Sequence, residues 1–406
     1  MSDATDVQSA VILELQGVRE AALPPSFNPS DHGLEDTFRL TRFVDSEAGG
    51  CKVPKDELLS ALLAAGLTKA GQPETVVQDE TLPLPSVVPK LGIPFDCSVI
   101  PLRTGACWLV QAAGFCCPII DDPYAMGKIA CAKVLNNLYA MGVSQCDSMT
   151  LLLGVSSGWT EQQRDVVLPI MMRGFKSRAS EAGAQISGVQ IVVNSWCMLG
   201  GVASTICQMN GFIEPGYAIA GDVLLLTKPL GTQLALDAYR SIGNAPGSCR
   251  KPIKLTITEE QVKEAHRQAT KSMSRLNREA ARLMFKHNAH GATHVGELGL
   301  LGHAQHLAYL QKNELSFSIY NLPLIGHMAA LAMNNGEAND RLLLQGLAPE
   351  HSGGLLICMP REQATSFCSE IKKLEGHQAW IIGKVEKGNR SARVIEKVQL
   401  IHVEDE

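Results

Sequence analysis

Aromatic residues are scarce in this 406-residue chain: Phe, Tyr and Trp together make up 5% of it. So thin a supply does not furnish the stacking platforms that hold single-stranded nucleic acid. Positive charge is not in excess either. Thirty-six Lys and Arg against 41 Asp and Glu leave a formal net charge of −5, which gives no support to a surface for nucleic acid or anionic membrane. No run of about 18 apolar residues is present to span a bilayer, and the N-terminus lacks the apolar core of a secretory signal. The 12 cysteines form no CxxC pair and no Cys/His cluster with zinc spacing. The Gly-x4-Gly-Lys-Ser/Thr spacing of a P-loop is missing as well. These absences point to a reduced, cytoplasmic protein whose cysteines serve mostly as small core hydrophobes.

What is present is the composition of a globular enzyme-sized chain, 45% hydrophobic and 19% charged. The length favours two domains. Residues 1–30, with Pro24, Pro25 and Pro29, read as a flexible N-terminal segment. An N-terminal domain over 31–217 and a C-terminal α/β domain over 218–406 follow, the boundary lying where Pro215-Gly216 precedes a new apolar run. Arg39–Phe43 has extended character, Pro54 opens a helix over 55–65, and 69–87 reads as a loop. In the first half, strands are expected near 97–102, 107–112, 149–155, 188–194 and 199–207, with a helix over 161–182. In the second, Thr258 and Gln261 fit a capping box opening a long helical region that ends near Asn288-Ala289-His290-Gly291. The glycine-rich stretch 291–302 passes into another helix, and strands near 315–320, 354–358, 379–385 and 394–402 complete the pattern. The fold class is α/β, two α+β sandwiches.

The most informative stretch is Asp121-Asp122-Pro123-Tyr124, running through Gly127-Lys128-Ile129-Ala130 to Leu138-Tyr139-Ala140-Met141-Gly142. Asp122 suits an N-cap, Pro123 a first turn, and Ile129, Ala132, Leu135 and Met141 recur at helical spacing until Gly142. Adjacent carboxylates at a helix mouth are used to hold magnesium and nucleotide phosphates, but a cap and its solvated neighbour account for them equally well. In Gly49-Gly50-Cys51-Lys52 a glycine turn, a lysine and a neighbouring thiol together suit anion binding or a nucleophile; a tight turn before a helix is the plainer reading. Asp96, before an apolar strand, suits a hard cation or a turn. Gly188-Val189-Gln190-Ile191 and Ser352-Gly353-Gly354 are either close backbone approaches or turns, and His303 and His306 read as surface or packing histidines.

In sequence order these blocks are similar to eukaryotic selenophosphate synthetases (selenide, water dikinases). The matching segments are Arg39-Leu40-Thr41-Arg42-Phe43, Gly50-Cys51-Lys52-Val53-Pro54, Pro118 to Ala130, Leu138 to Gly142, Gly200-Gly201-Val202-Ala203, Leu300 to Gln305, Ser352 to Cys358 and Gly376 to Gly383. The resemblance runs from about Phe27 to the C-terminus. It implies a two-domain fold like that of aminoimidazole ribonucleotide synthetase, a homodimer formed through the N-terminal domains, and a reaction that turns ATP, selenide and water into selenophosphate, AMP and phosphate. It also implies roles. Lys52 would touch ATP phosphates beside Cys51, Asp96 would bind Mg2+, and Gly188 and Gln190 would line the nucleotide site.

The same resemblance exposes departures. Gly49 stands where active members carry selenocysteine or cysteine. The family's Thr-Thr-Asp is Ala112-Ala113-Gly114, its Ser-Asp before Leu-Tyr-Ala-Met-Gly is Asn136-Asn137, and its Gly-Gly-Gln-Thr is Gly188-Val189-Gln190-Ile191. Its Ala-Thr-Asp-x-Thr-Gly-Phe-Gly is Ala292-Thr293-His294-Val295-Gly296-Glu297-Leu298-Gly299. Of four family metal aspartates only Asp96 remains. The expectation is a catalytically impaired homologue, a pseudoenzyme partner or regulator that forms homodimers or pairs with an active paralogue. The competing expectation is an active dikinase whose metal site is rebuilt from Asp96, Asp121, Asp122 and Glu297.

Overall fold

The computed structural model describes residues 27–43, 55–65, 97–103, 107–208, 210–242, 253–334 and 342–404. Cys51, Lys52, Asp96 and the expected loop over 69–87 lie outside the described residues, as does most of the expected N-terminal segment; Pro29–His32 forms a short 3-10 turn.

Five strands make the first sheet: β1 (Cys97–Pro101), β2 (Cys107–Cys116), β3 (Ser148–Ser156), β4 (Gln185–Asn194) and β5 (Met198–Gln208), in the order β1-β2-β5-β3-β4. Only β3 and β4 run parallel, joined by a helical crossover as a parallel pair requires. The helix α1 (Lys55–Ala64) precedes this sheet. One face is covered by α2 (Pro123–Ala140) and α3 (Glu161–Glu181). Asp122 caps α2, its carboxylate accepting from Ala125 N at 3.0 Å, and Gly142 closes the following turn at φ +72°. α2 and α3 cross backbone to backbone. A Cβ at Gly127 would overlap Met171 O and stand 2.7 Å from Phe175 N, and one at Gly174 would overlap Tyr124 O.

The second sheet has the order β11-β8-β10-β6-β9-β7, from β6 (Val223–Leu226), β7 (Gly291–His294), β8 (Leu315–Ile325), β9 (Leu355–Met359), β10 (Trp380–Lys387) and β11 (Ala392–Val403). β8 and β11 are its parallel pair. Every residue of β6 and β9 is buried, so both faces are covered there. Its helices are α4 (Thr232–Ile242), α5 (Glu259–Ser274), α6 (Arg278–Lys286), α7 (Gly299–Tyr309), α8 (Met328–Asn334) and α9 (Arg361–Glu375). Apolar residues of both units join in one continuous core.

Three local expectations need correction. Arg39–Phe43 is not extended: Leu40–Phe43 is a 3-10 turn, held because Asp121 accepts from Thr41 N (3.0 Å) and Thr41 Oγ1 (2.8 Å) while Phe43 packs on Phe38 and Trp159. The long helix opened by the Thr258–Gln261 capping box breaks after Ser274. There Arg275 is extended, its carbonyl taken by buried Lys228 Nζ at 2.7 Å and its guanidinium donating to Thr227 O at 2.9 Å. Gly291–His294 is a strand, paired to β9 with His294 opposite Leu355.

Candidate functional site between the two sheets

The C-terminal half of α2 carries polar residues into an otherwise apolar interior. Lys133, Asn136 and Asn137 stand at i, i+3 and i+4, so one helix face presents all three. That face meets the second unit. Lys133 Nζ forms an ion pair with Glu297, on the loop between β7 and α7, with side chains only 13% and 7% exposed. Removing either partner of such a pair takes a close opposite charge from a group that little water reaches.

Asn136 is fully buried and uses both ends of its amide. Nδ2 donates to Ser352 Oγ (3.2 Å) and Gly353 O (3.4 Å), and Oδ1 accepts from Asn277 Nδ2 at 2.9 Å. Asn277 also donates to Gly353 O (3.0 Å) and accepts from Thr227 Oγ1 (2.8 Å), which in turn accepts from Leu355 N (2.8 Å). Lys228 completes this scaffold by donating to Ser352 O at 2.8 Å, which supports Ser352 at a φ of +45°. Burial holds the Lys228 ammonium pKa well below the ordinary lysine range, with Arg275 adding to the depression. Nearby in the chain, Glu350 accepts from Gly231 N (2.6 Å), Thr232 N (3.0 Å) and the Thr232 hydroxyl at the start of α4. Its full burial outweighs those hydrogen bonds and pushes its pKa up to about 7.

Asn137 and His294 line one small cavity of about 50 Å³, together with Cys97, Met141, Pro215 and His306. The Asn137 Oδ1 is buried with no hydrogen-bond partner among the described residues. The His294 ring lies 5.4 Å from that of His303. Gly114 sits on β2 with its Cα facing α2; a Cβ there would stand 3.6 Å from Val134, one helical turn from Asn137. Positions 137 and 294, far apart in sequence, therefore meet in one cavity at the junction of the two units, while Gly114 faces α2 one helical turn from Asn137. The cavity is far below the roughly 300 Å³ at which ligand pockets of drug-like size begin. Neutral amide and imidazole groups also suit Mg2+ poorly, since it prefers hard oxygen ligands in octahedral geometry. Among the described residues no three His, Cys, Asp or Glu side chains form a group able to hold a metal.

The other sequence-predicted residues fall elsewhere. Asp122 is an N-cap, and Asp121 anchors the Thr41 turn, with Arg39 at 3.9 Å. Glu297 pairs with a lysine 11 residues along α2 from Asp122, about 16 Å at the helical rise per residue, so these carboxylates do not gather. Gly188 and Gln190 lie on the edge strand β4, opposite Thr150 and Leu152 of β3, on the sheet face turned away from α2. Four strand spacings, roughly 19 Å, separate β4 from the β1 edge that carries Cys97. His303 is buried, and His306, half-buried, lines the cavity. Sequence reasoning missed Lys133, Lys228, Asn277 and Glu350. The signal was there for two of them, a lysine in the middle of the apolar α2 and another two residues after the buried run of β6.

Two family models divide the chain. The model described as AIR synthase related protein, N-terminal domain, matches residues 95–206, and that of the C-terminal domain matches 220–396. Among curated proteins, zebrafish (Danio rerio) selenide, water dikinase 3 is 48% identical over 93% of this chain and 89% of its own length. Human selenide, water dikinase 2 is 49% identical over 93% of this chain and 87% of its own length. The chain belongs to the selenide, water dikinase family. Its fold is the two-domain α/β architecture of the AIR synthase group. Among solved structures, AaThiL complexed with AMPPCP and TMP superposes with a TM-score of 0.58 at 15% identity, covering 86% of this chain and 97% of that one. No helix among the described residues is long and apolar enough to cross a membrane.

Proposed function

We propose that this selenide, water dikinase homologue has lost most or all of the family's Mg-ATP chemistry and acts as a partner or regulator in selenium metabolism. The observation that carries the reading is that Asn137 and His294 share one cavity at the interdomain junction, with Gly114 facing the same helix and a nearby acid already paired with Lys133. Phosphoryl transfer depends on metal ions neutralising charge as it develops, with little covalent help from the protein. An amide, an imidazole and a glycine in place of three carboxylates withdraw that neutralisation. Removing one such electrostatic interaction from a desolvated site costs on the order of 3 kcal/mol of transition-state stabilisation, or about a hundredfold in rate. Cys51, Lys52 and Asp96, with Gly188 and Gln190, remain the residues that would meet ATP and Mg2+ if either binds. Titration calorimetry with ATP, with and without Mg2+, tests the reading. Weak binding that Mg2+ does not improve supports it; binding strengthened tenfold or more by Mg2+ overturns it.

The outer face of the first sheet bears on the partner. Phe115, Val192 and Ile206 are 46%, 49% and 56% exposed on strands whose other face is packed. Apolar residues spread over an uncovered sheet suit a large, self-complementary interface. The working form on this reading is a homodimer through the N-terminal domains, or a mixed dimer with an active paralogue.

A further inference from the structure

We infer that the Lys133–Glu297 ion pair and the Asn136 amide form a latch that holds α2 against the loops of the second domain and restrains opening at the junction. Three features support it. First, both contacts leave the same face of α2 and end on segments that flank the cavity. Glu297 follows His294 by three residues, and Ser352-Gly353 leads into β9, where Leu355 pairs with His294. Second, the receiving side is rigid. Ser352 O is held by Lys228, Gly353 O by Asn277, and Asn277 by Thr227. Third, both ends of each contact are desolvated, so the bonds are screened little by solvent or salt.

The residues that make the latch coincide with departures from the family pattern. The family resemblance places glycine at 297 and serine at 136. Glycine offers no side chain to Lys133, and a hydroxyl cannot reproduce an amide that gives two hydrogen bonds on one side and receives one on the other. The cavity beside these contacts, lined by Asn137 and His294, measures about 50 Å³. The latch concerns motion at the junction and stands whether or not turnover is lost, so its test is independent of the ATP calorimetry.

The test is amide hydrogen exchange on the full chain carrying Lys133→Gln with Glu297→Gly, and on the same pair with Asn136→Ser added. The latch predicts exchange about tenfold faster in residues 291–299 and 350–354 of the double variant, faster again in the triple, and unchanged in β3 and β6. Glu297→Gly alone is expected to perturb more than the double variant, because it keeps the largely buried Lys133 charge while removing its carboxylate partner. Should the multiple variants fail to fold, Asn136→Ser alone serves, with an expected rise of roughly fivefold in 350–354 and an unchanged far-UV spectrum. As a control, Lys263→Ala breaks the exposed Glu259–Lys263 pair and should leave these segments as they were. Exchange within about twofold of wild type in both the double variant and Asn136→Ser would overturn the latch.

Discussion

Glu350→Gln changes one proton-binding site and leaves the shape of the side chain almost untouched. In the folded chain Glu350 is buried, and its pKa is pushed from an ordinary 4.5 up to about 7. Between those two pH values the folded protein keeps a proton that the unfolded chain has released. Stability from this group is therefore complete below about pH 4.5 and falls as pH rises towards 7, by about 3 kcal/mol in all. His266 works in the opposite sense. Burial lowers its pKa from 6.5 to about 4, so between those values the unfolded chain binds the extra proton and stability rises with pH. Its ring is half-buried against Tyr239, with centroids 3.9 Å apart, so partial solvent screening makes its rise smaller than the Glu350 fall. In the wild type the His266 rise offsets part of the Glu350 fall between pH 4.5 and 6.5. The amide oxygen in Glu350→Gln can still accept from Thr232 N and the Thr232 hydroxyl, while its NH2 cannot take the bond from Gly231 N; that cost is the same at every pH, because the amide does not titrate. Urea unfolding of wild type and variant from pH 4 to 8 reads the difference directly. The stability of the variant relative to wild type should climb by about 3 kcal/mol from pH 4.5 to 7 and then level off. A flat difference across that window would refute the reasoning.

Other substitutions test the packing that positions the site. Gly127→Ala places a methyl group in the backbone crossing of α2 and α3; overpacking should outweigh the gain in helix propensity and cost roughly 2–4 kcal/mol by chemical denaturation. Lys228→Met preserves the apolar stem but leaves Arg275 O and Ser352 O without their donor. A loss of about 2 kcal/mol, together with faster exchange in 350–354, is expected, and an unchanged melting curve would count against this scaffold. Phe115→Lys with Ile206→Lys puts charge on the uncovered sheet face; light scattering should show a dimer becoming a monomer with the far-UV spectrum intact.

Much of the fold was legible because its signals are local. Asp122 and Thr258 announce their helices through capping chemistry, and the apolar runs that became β3, β6 and β9 are strands wherever two covered faces are available. What was hidden depends on contacts distant in sequence. Nothing near Arg275 signals a helix break; a buried lysine 47 residues away takes its carbonyl. The site followed the same division. Asn137 and His294 stand out in sequence as departures from a family pattern, but that they share one cavity is a fact of tertiary structure. Asp121 and Glu297 offer plausible metal chemistry in sequence, whereas in the fold they are engaged by Thr41 and Lys133.

The central claim is that this chain no longer splits the triphosphate. Phosphorus NMR of the purified protein with ATP, selenide and Mg2+ tests it most directly, because AMP, phosphate and selenophosphate give separate signals. The account predicts an ATP signal that persists as it does in a protein-free control. Steady formation of selenophosphate and AMP in equal amounts, at the rate of a working enzyme, would contradict it.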